Sequence, residues 1–237
     1  MIRSVQMKNP ALLLLLLIAS CGTTSFAQTC KSNQYDMLAW MAPQFATANG
    51  HWNMVYPTTG TFYWVKGSNG YPWDVDTFDA NYVYQSITEE DWNNASTYKQ
   101  FVSAIPWMPR CINVPTASGK LSSITLTPEQ STFNIHSSCS SYTTQNLNYV
   151  VNEIWGPYNE SFGDSTTEPT LVLSYRYACD SSYSNCMYKE TFALQENAGL
   201  VQWTLYQLDG GKYVQQNQTT HSETLQAGSV MPVHPCW

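Results

Sequence analysis

The C-terminal third of the chain has the clearest alternation of apolar and polar positions. In TLVLSYRY, residues 170–177, the side chains of Leu171, Leu173, Tyr175 and Tyr177 fall on one face of a strand. MYKETFAL (187–194) and GLVQWTLYQL (199–208) alternate in the same way, and DGG at 209–211 is a turn signal before KYVQQNQTTH (212–221). These four segments predict an antiparallel meander.

Shorter strand-like segments precede the meander at 51–57, 61–67, 120–128 and 131–136. QNLNYVVNEIW (145–155) has apolar residues at helical spacing, but its residues are poor helix formers and its neighbours are strands, so we expect a strand. Thr88 before three acidic residues, and STYKQFV (96–102), predict short helices. The fold class is mainly β: a single antiparallel β-sandwich or jelly-roll-like domain over residues 28–237, with minor short helices.

Cysteine usage indicates an oxidising compartment. Six cysteines follow residue 27, namely Cys30, Cys111, Cys139, Cys179, Cys186 and Cys236, and an even set without a C-x-x-C or a common zinc spacing predicts three disulfides. Because Cys179 and Cys186 close a short loop between two strand-like runs, we expect them to pair. Cys236 is expected to hold the C-terminal end, and the sequence leaves its partner open.

The first 27 residues predict an export signal, because Arg3 and Lys8 precede the apolar run ALLLLLLIAS. This run is too short for the roughly 20 apolar residues of a membrane span. IASC, which ends at Cys21, resembles the bacterial lipobox, and SFA before Gln28 fits ordinary cleavage. We favour lipidation of Cys21, so the expected location is the periplasm, the outer membrane as a lipoprotein, or the exterior, with membrane contact through the lipid alone.

Charge excludes one class of partner. The export signal holds two of the ten basic residues and none of the seventeen acids, so the rest of the chain carries eight basic and seventeen acidic residues, a net charge of −9. An acidic domain is a poor match for a phosphate backbone, and we expect no nucleic-acid partner. The nucleophile, phosphate-loop and zinc-peptidase signatures are missing, and we expect no cofactor.

An acidic cluster in NGYPWDVDTFD (69–79) is the densest polar feature. Asp74, Asp76 and Asp79 are candidate oxygen ligands for a cation, but the segment has neither the EF-hand pattern nor its final Glu. We expect an exposed turn, anchored by Trp73 and Phe78, that forms no strong ion site.

Two functional hypotheses remain. NEIW, which contains Glu153, resembles the Glu-bearing strands of jelly-roll glycosidases; hydrolysis would need a second carboxylate, with Glu160, Asp164 and Glu190 as candidates. A non-catalytic envelope module needs no such pair, and we favour binding of a glycan or another envelope protein, or a structural role. The chain has nine Trp and sixteen Tyr, and the candidate sugar-stacking residues are Trp64, Trp73 and Trp92.

Overall fold

The computed structural model describes residues 30–42, 54–58, 61–65, 72–89, 96–162, 167–196, 198–220 and 236. In chain order, its elements are β1 (Gln34–Asp36), α1 (Met37–Met41), β2 (Met54–Thr58), β3 (Thr61–Val65), β4 (Pro72–Phe78), β5 (Tyr82–Glu89), β6 (Tyr98–Pro109), β7 (Cys111–Asn113), β8 (Gly119–Leu126), β9 (Thr132–Ser138), β10 (Ser141–Asn146), β11 (Tyr149–Glu160), β12 (Glu168–Cys179), β13 (Cys186–Gln195), β14 (Gly199–Asp209) and β15 (Lys212–Thr220). Among these residues there is no helix long and apolar enough to cross a membrane.

The strands form two large antiparallel sheets. One has seven strands in the order β10-β9-β6-β5-β4-β3-β2, and the other has six in the order β15-β14-β13-β12-β11-β8. A third, two-stranded sheet pairs β1 with β7. Both large sheets are built mainly from meanders, and the chain passes between them on either side of β8 and before β11. The strand order is that of a β-sandwich.

The core lies between the two large sheets. Val83, Ile105 and Trp107 of the seven-stranded sheet pack in one apolar cluster with Leu173 and Phe192 of the six-stranded sheet. Each of these five side chains is at most 4% exposed. Burial of apolar surface between two sheets is therefore what holds them face to face.

The predicted C-terminal meander is present as β12 to β15. In β12, Leu171, Leu173 and Tyr175 face the core, as the alternation of the sequence predicts. Gly210 and Gly211 have φ values of 54° and 78° and join β14 to β15. Both turn positions need the left-handed region that glycine adopts without strain, which explains the DGG signal.

The upstream strands are also confirmed, including β11 over the segment with helical spacing. One of the two predicted short helices is wrong, because STYKQFV falls largely in β6. Thr88, the predicted cap of the other helix, belongs to β5, and residues 90–95 lie outside the described part of the chain. STYKQFV contains two buried aromatic residues, Tyr98 and Phe101. In β6 they lie on opposite faces, with Tyr98 stacked on His136 at 4.2 Å and Phe101 packed on Phe133 in the core.

The one helix among the described residues, α1, closes one end of the sandwich. Asp36 caps it by accepting a hydrogen bond from the backbone N–H of Leu38 at 3.0 Å, and Trp40 is 1% exposed. Arg110 holds this cap in place, since its guanidinium binds both oxygens of Asp36 and also donates to the carbonyl of Asp79. One buried arginine thus joins the helix to the β4–β5 turn.

Three disulfides connect the described parts of the chain: Cys30–Cys111, Cys139–Cys236 and Cys179–Cys186. Cys179 and Cys186 are directly opposite each other at the ends of β12 and β13, as their spacing suggests. Cys139, in the β9–β10 turn, is the partner of Cys236 that the sequence left open. Three such bonds are characteristic of proteins that fold in an oxidising, extracellular or periplasmic environment.

We predict unequal effects for removal of two of these bonds. The loop closed by Cys179 and Cys186 has a sequence separation of 7 residues, so the double substitution to Ala should lower the free energy of unfolding by about 2.5 kcal/mol on the loop-entropy model. Removal of the Cys30–Cys111 bond, whose sequence separation is 81, should lower the free energy of unfolding by about 4.5 kcal/mol on the same model. Urea unfolding monitored by circular dichroism measures both values. Equal losses, or unfolding of the Cys179/Cys186 variant without denaturant, would contradict this assignment.

Candidate functional site

A pocket of about 260 Å³ opens between the two large sheets, beside the Cys179–Cys186 bridge. The seven-stranded sheet lines it with Lys99, Phe133, Ile135, Gln145 and Asn146; Leu147 and Asn148 follow β10, and the six-stranded sheet contributes Tyr177, Ala178 and Tyr188. The lining combines aromatic rings, side-chain amides and one ammonium group. Such a mixture of apolar walls and a few polar groups is typical of small-ligand sites.

A β-bulge shapes the rim of this pocket. Tyr149 is paired with Cys179 and Val151 with Arg176, so the two β12 residues between those pairs stand opposite a single β11 residue. Ala178, one of the two, has φ +53°, a left-handed conformation that is unfavourable for a residue with a Cβ. Asn148, across the rim, has φ +57°. Strained backbone and bulges concentrate where a fold positions functional side chains.

Tyr177, next to the bulge, lies against Tyr188 in the pocket wall. The two residues are directly opposite each other across β12 and β13, and their rings are stacked with centroids 5.3 Å apart at 23°. Tyr175 continues the row inward, 5.0 Å from Tyr177 and 6.4 Å from Trp107. An aromatic row therefore runs from the pocket into the core.

Glu190 lies at the inner end of this aromatic row. Its Oε2 accepts a hydrogen bond from the indole N–H of Trp203 at 2.7 Å, and the Tyr177 hydroxyl also donates to it. Burial raises the pKa of Glu190, whereas the bonds from Trp203 and Tyr177 and the charge of Lys99 favour its ionised form. Burial and the neighbouring Glu190 likewise raise the pKa of Tyr177. The carboxyl group of Glu190 can therefore accept or donate a hydrogen bond beside the pocket.

Asp74 and Asp76 correct the sequence-based expectation of an exposed turn. Both lie within β4, where they are 2% and 0% exposed, because β4 is an inner strand whose core face is covered by the six-stranded sheet. Aspartates on a strand normally face water, which is why the sequence predicts a solvated segment here. In β4, the polar side chains of Asp74 and Asp76 face the interior of the sandwich instead.

The buried aspartates have few partners. Asp74 interacts with Gln85, whose Oε1 accepts the indole N–H of Trp107 at 2.9 Å. Among the described atoms, neither oxygen of Asp76 has a hydrogen-bond partner. Burial raises the pKa of Asp74 well above its usual range, and it raises that of Asp76 as well, with the charge of Asp74 adding to the effect. Burial without a cation disfavours the charged form of a carboxyl in this position.

Asp79 lies on the exposed turn, as expected. Its Oδ1 accepts the backbone N–H groups of Asn81 and Tyr82 at 2.7 and 2.9 Å, and its Oδ2 accepts the Tyr84 hydroxyl. Burial opposes its ionisation, but these bonds and Arg110 together outweigh burial and lower its pKa overall. Asp79 is thus separated from the two buried aspartates, and no group of three metal-binding side chains occurs in the described part of the chain.

Glu153 lies on the other side of the six-stranded sheet from the pocket. Glu153 is paired with Ser174 of β12, which is paired with Thr191 of β13, so the three side chains lie on the same, outer face of the sheet. Glu190, next to Thr191 in β13, points into the sandwich. Its Oε1 contacts Lys120 and its Oε2 contacts Arg176, both at 3.2 Å. Glu153 and Glu190 are on opposite faces of the sheet, so they do not form a pair across a sugar bond.

The remaining sequence-predicted residues divide into two groups. The backbones of Trp64 and Trp73 lie in β3 and β4, but their side chains are outside the described part of the structure. Cys21, Trp92 and Asp164 are outside the described residues altogether. Glu160, the last candidate partner of Glu153, is exposed at the end of β11.

Sequence reasoning missed the pocket itself. It placed Tyr177 on one face of a strand with Leu171, Leu173 and Tyr175, but Lys99, Asn148 and Ala178 gave no motif. The chain matches no family model, and neither a curated protein nor a solved structure matches it significantly.

The raised pKa values of Asp74 and Asp76 predict that the free energy of unfolding falls as pH rises. A group whose pKa is raised by folding stabilises the protein below its unfolded pKa of about 4, and that contribution is lost as pH rises through the folded pKa. Asp76→Asn mimics the protonated acid. At pH 8, we expect it to exceed the wild type in free energy of unfolding by at least about 1.4 kcal/mol, the equivalent of one pKa unit.

Asp79→Asn is the matched control with the opposite sign. Because folding lowers the pKa of Asp79, its contribution is present above the unfolded pKa and is lost as pH falls. This variant should be less stable than the wild type at neutral pH and equal to it in acid. Urea titrations between about pH 2 and pH 8 separate the two variants. If the free energy of unfolding of the wild type changes with pH in the same way as that of Asp76→Asn, protonation of the buried pair is refuted.

Proposed function

We propose that this protein is an exported cell-envelope protein that binds a glycan without cleaving it, and that one sugar unit enters the pocket beside Tyr177 and Tyr188. The observation that carries the proposal is the tyrosine pair in the pocket wall. Tyr177 and Tyr188 are stacked with ring centroids 5.3 Å apart, and both line the pocket. Beside them, Ala178 adopts a left-handed conformation at the rim, and strained backbone concentrates where a fold positions functional side chains.

The chemistry of the lining supports a sugar as the ligand. Tyrosine offers a flat apolar surface to the C–H face of a pyranose and a hydroxyl to its polar edge. Gln145, Asn146 and Asn148 provide amide groups that both donate and accept hydrogen bonds, which suits hydroxyl groups. A pocket of about 260 Å³ accommodates one sugar ring rather than a folded partner.

Glycoside hydrolysis is the second candidate, and Glu190 is the residue that favours it. Its pKa is raised by burial, as that of a general acid must be, and it lies beside the pocket. Catalysis would also require a second carboxylate about 5 to 9.5 Å away with access to the same bond. Glu190 raises the pKa of Asp74 electrostatically, but Asp74 is 2% exposed and linked to Gln85, so it is better suited to a structural position than to contact with substrate.

Export fits the disulfide content of the domain. The basic start and apolar run before residue 28 supply the signal, and Cys21 supplies an acylation site at the end of IASC. A lipid at Cys21 would tether the domain to an envelope membrane, with the periplasm or the exterior as the compartment. Glycans are abundant ligands in all of these locations.

The pocket variants should lose glycan binding. We expect the wild type to bind a subset of a glycan array, and Tyr188→Ala to weaken binding to those glycans by about tenfold or more, because one lost sugar-stacking contact is worth about 1.4 kcal/mol or more. Tyr82→Ala is the matched control, since Tyr82 is an exposed tyrosine at a distant turn and should retain the wild-type affinity. Isothermal titration calorimetry with the best glycan measures the difference.

The same samples distinguish binding from hydrolysis. The bound glycan should be recovered intact after prolonged incubation, as judged by the release of reducing ends. If the wild type releases reducing ends and Glu190→Gln does not, glycoside hydrolysis is established instead. Equal affinities for Tyr188→Ala and the wild type would reject the pocket as the site.

Lipidation has a separate test in cells. Labelling with a palmitate analogue should mark the wild type and leave Cys21→Ala unlabelled. A mature N-terminus at Gln28, without label, would show ordinary cleavage in place of lipidation.

A further inference from the structure

The outer face of the six-stranded sheet carries a group of cations and aromatic rings that the pocket does not use. Lys120 of β8, Arg176 of β12 and Lys189 of β13 project from this face, because their neighbours in each strand alternate into the core. Trp155, Tyr206 and Tyr213 project from the same face. We call these six residues the basic face.

Arg176 and Lys189 form a like-charge pair on this face. They are directly opposite each other across β12 and β13, a position where like charges destabilise a sheet. Burial and the charge of Arg176 both lower the pKa of Lys189. The chain has ten basic residues against seventeen acidic ones, so two cations in register are not a consequence of composition.

Neighbouring groups offset part of this repulsion. The carboxylate of Glu153 contacts Lys120 and Arg176, which gives three cations one adjacent negative charge. The ammonium of Lys189 lies 4.7 Å from the ring centroid of Tyr206 and 5.3 Å from that of Tyr213. Cation–π contacts hold the ammonium in place without neutralising it. The basic face therefore keeps a positive charge on an acidic protein.

We propose that the basic face is a second binding surface, and that its ligand is an acidic polysaccharide whose carboxylate or sulfate groups contact Arg176 and Lys189. An anion between the two cations would relieve the repulsion that the free protein retains. Trp155 on β11 and Tyr206 on β14 are three strand spacings apart across the sheet and four residues apart along it, a separation of roughly 20 Å, and offer rings at two points along an extended chain. The charge identifies the ligand as anionic, and the flanking rings favour a sugar polymer.

This surface is independent of the pocket, since the two lie on opposite faces of the six-stranded sheet. Loss of binding at one leaves the other in place. The two proposals therefore fail separately: Tyr188→Ala tests the pocket, and variants of Lys189 and Arg176 test the basic face.

The test measures the affinity of the full mature chain for polygalacturonate, dextran sulfate and neutral dextran. We expect binding to at least one acidic polymer and none to dextran, with an affinity that falls steeply as salt rises from about 50 to about 300 mM. Lys189→Gln should weaken binding about tenfold, the loss of one charge-assisted contact. Polygalacturonate and dextran sulfate distinguish carboxylate from sulfate recognition.

Stability separates a binding role from a structural one. Lys189→Gln removes one member of the like-charge pair, so its melting temperature should equal or exceed that of the wild type while its affinity falls. Lys31→Gln, at an exposed cation near the N-terminal end of the domain, is the matched control and should retain the wild-type affinity. Unchanged affinity in Lys189→Gln would overturn the proposal. Equal binding to neutral dextran, or binding to anionic lipid vesicles without binding to either acidic polymer, would also overturn it.

Discussion

Burial of apolar surface around Trp107 is the interaction that holds the two sheets together, and Trp107 also forms a hydrogen bond with Gln85 inside the seven-stranded sheet. Trp107 is 1% exposed and lies 5.2 Å from Phe192 of the opposite sheet, so its ring contributes to the apolar interface. Its indole N–H requires an acceptor, and the Oε1 of Gln85 provides one at 2.9 Å. Gln85 in turn faces Asp76 across β4 and β5. A single buried tryptophan thus joins the apolar core to a polar interior.

That polar interior explains the position of the candidate site. Asp74, Asp76 and Gln85 from one sheet approach Tyr175 and Glu190 from the other, and each polar group is shielded from water by the same sandwich. Such groups lower stability unless they are paired or neutral. Burial raises the pKa values of all three acids, which favours their neutral forms. The pocket lies where the aromatic row from this interior reaches the surface, and strained residues at its rim are consistent with selection for a site rather than for stability.

The disulfide between Cys179 and Cys186 supports the same region. It joins β12 to β13 directly beside the bulge that contains Ala178, at the end of the tyrosine pair. A left-handed alanine persists when its surroundings fix it, and this bond fixes the strand ends on which it lies. The bridge therefore has a local role at the pocket besides its contribution to global stability.

The sequence predicted the parts of this fold that depend on local pattern. Alternation in 170–220 predicted β12 to β15, and the spacing of Cys179 and Cys186 predicted their bridge. It failed at Asp74 and Asp76, because a strand with polar positions carries no mark of which face another sheet will cover. The sequence-based prediction also failed at STYKQFV, because Tyr98 and Phe101 lie on opposite faces of β6 and both faces are buried there. Lys99 and Asn148 reach the pocket only through the pairing of distant strands, which no short segment encodes.

The protonation of the buried acids at neutral pH tests this account most directly. Carbon-13 NMR of the protein labelled at its aspartate carboxyl groups, with Asp74→Asn and Asp76→Asn for assignment, reports the ionisation of each group. The account predicts that the Asp76 resonance has the chemical shift of a protonated acid at pH 7 and that Asp79 has the shift of a carboxylate. An ionised Asp76 at pH 7, in a folded protein, would contradict the closed polar interior on which the arrangement of the two sheets and the pocket depends.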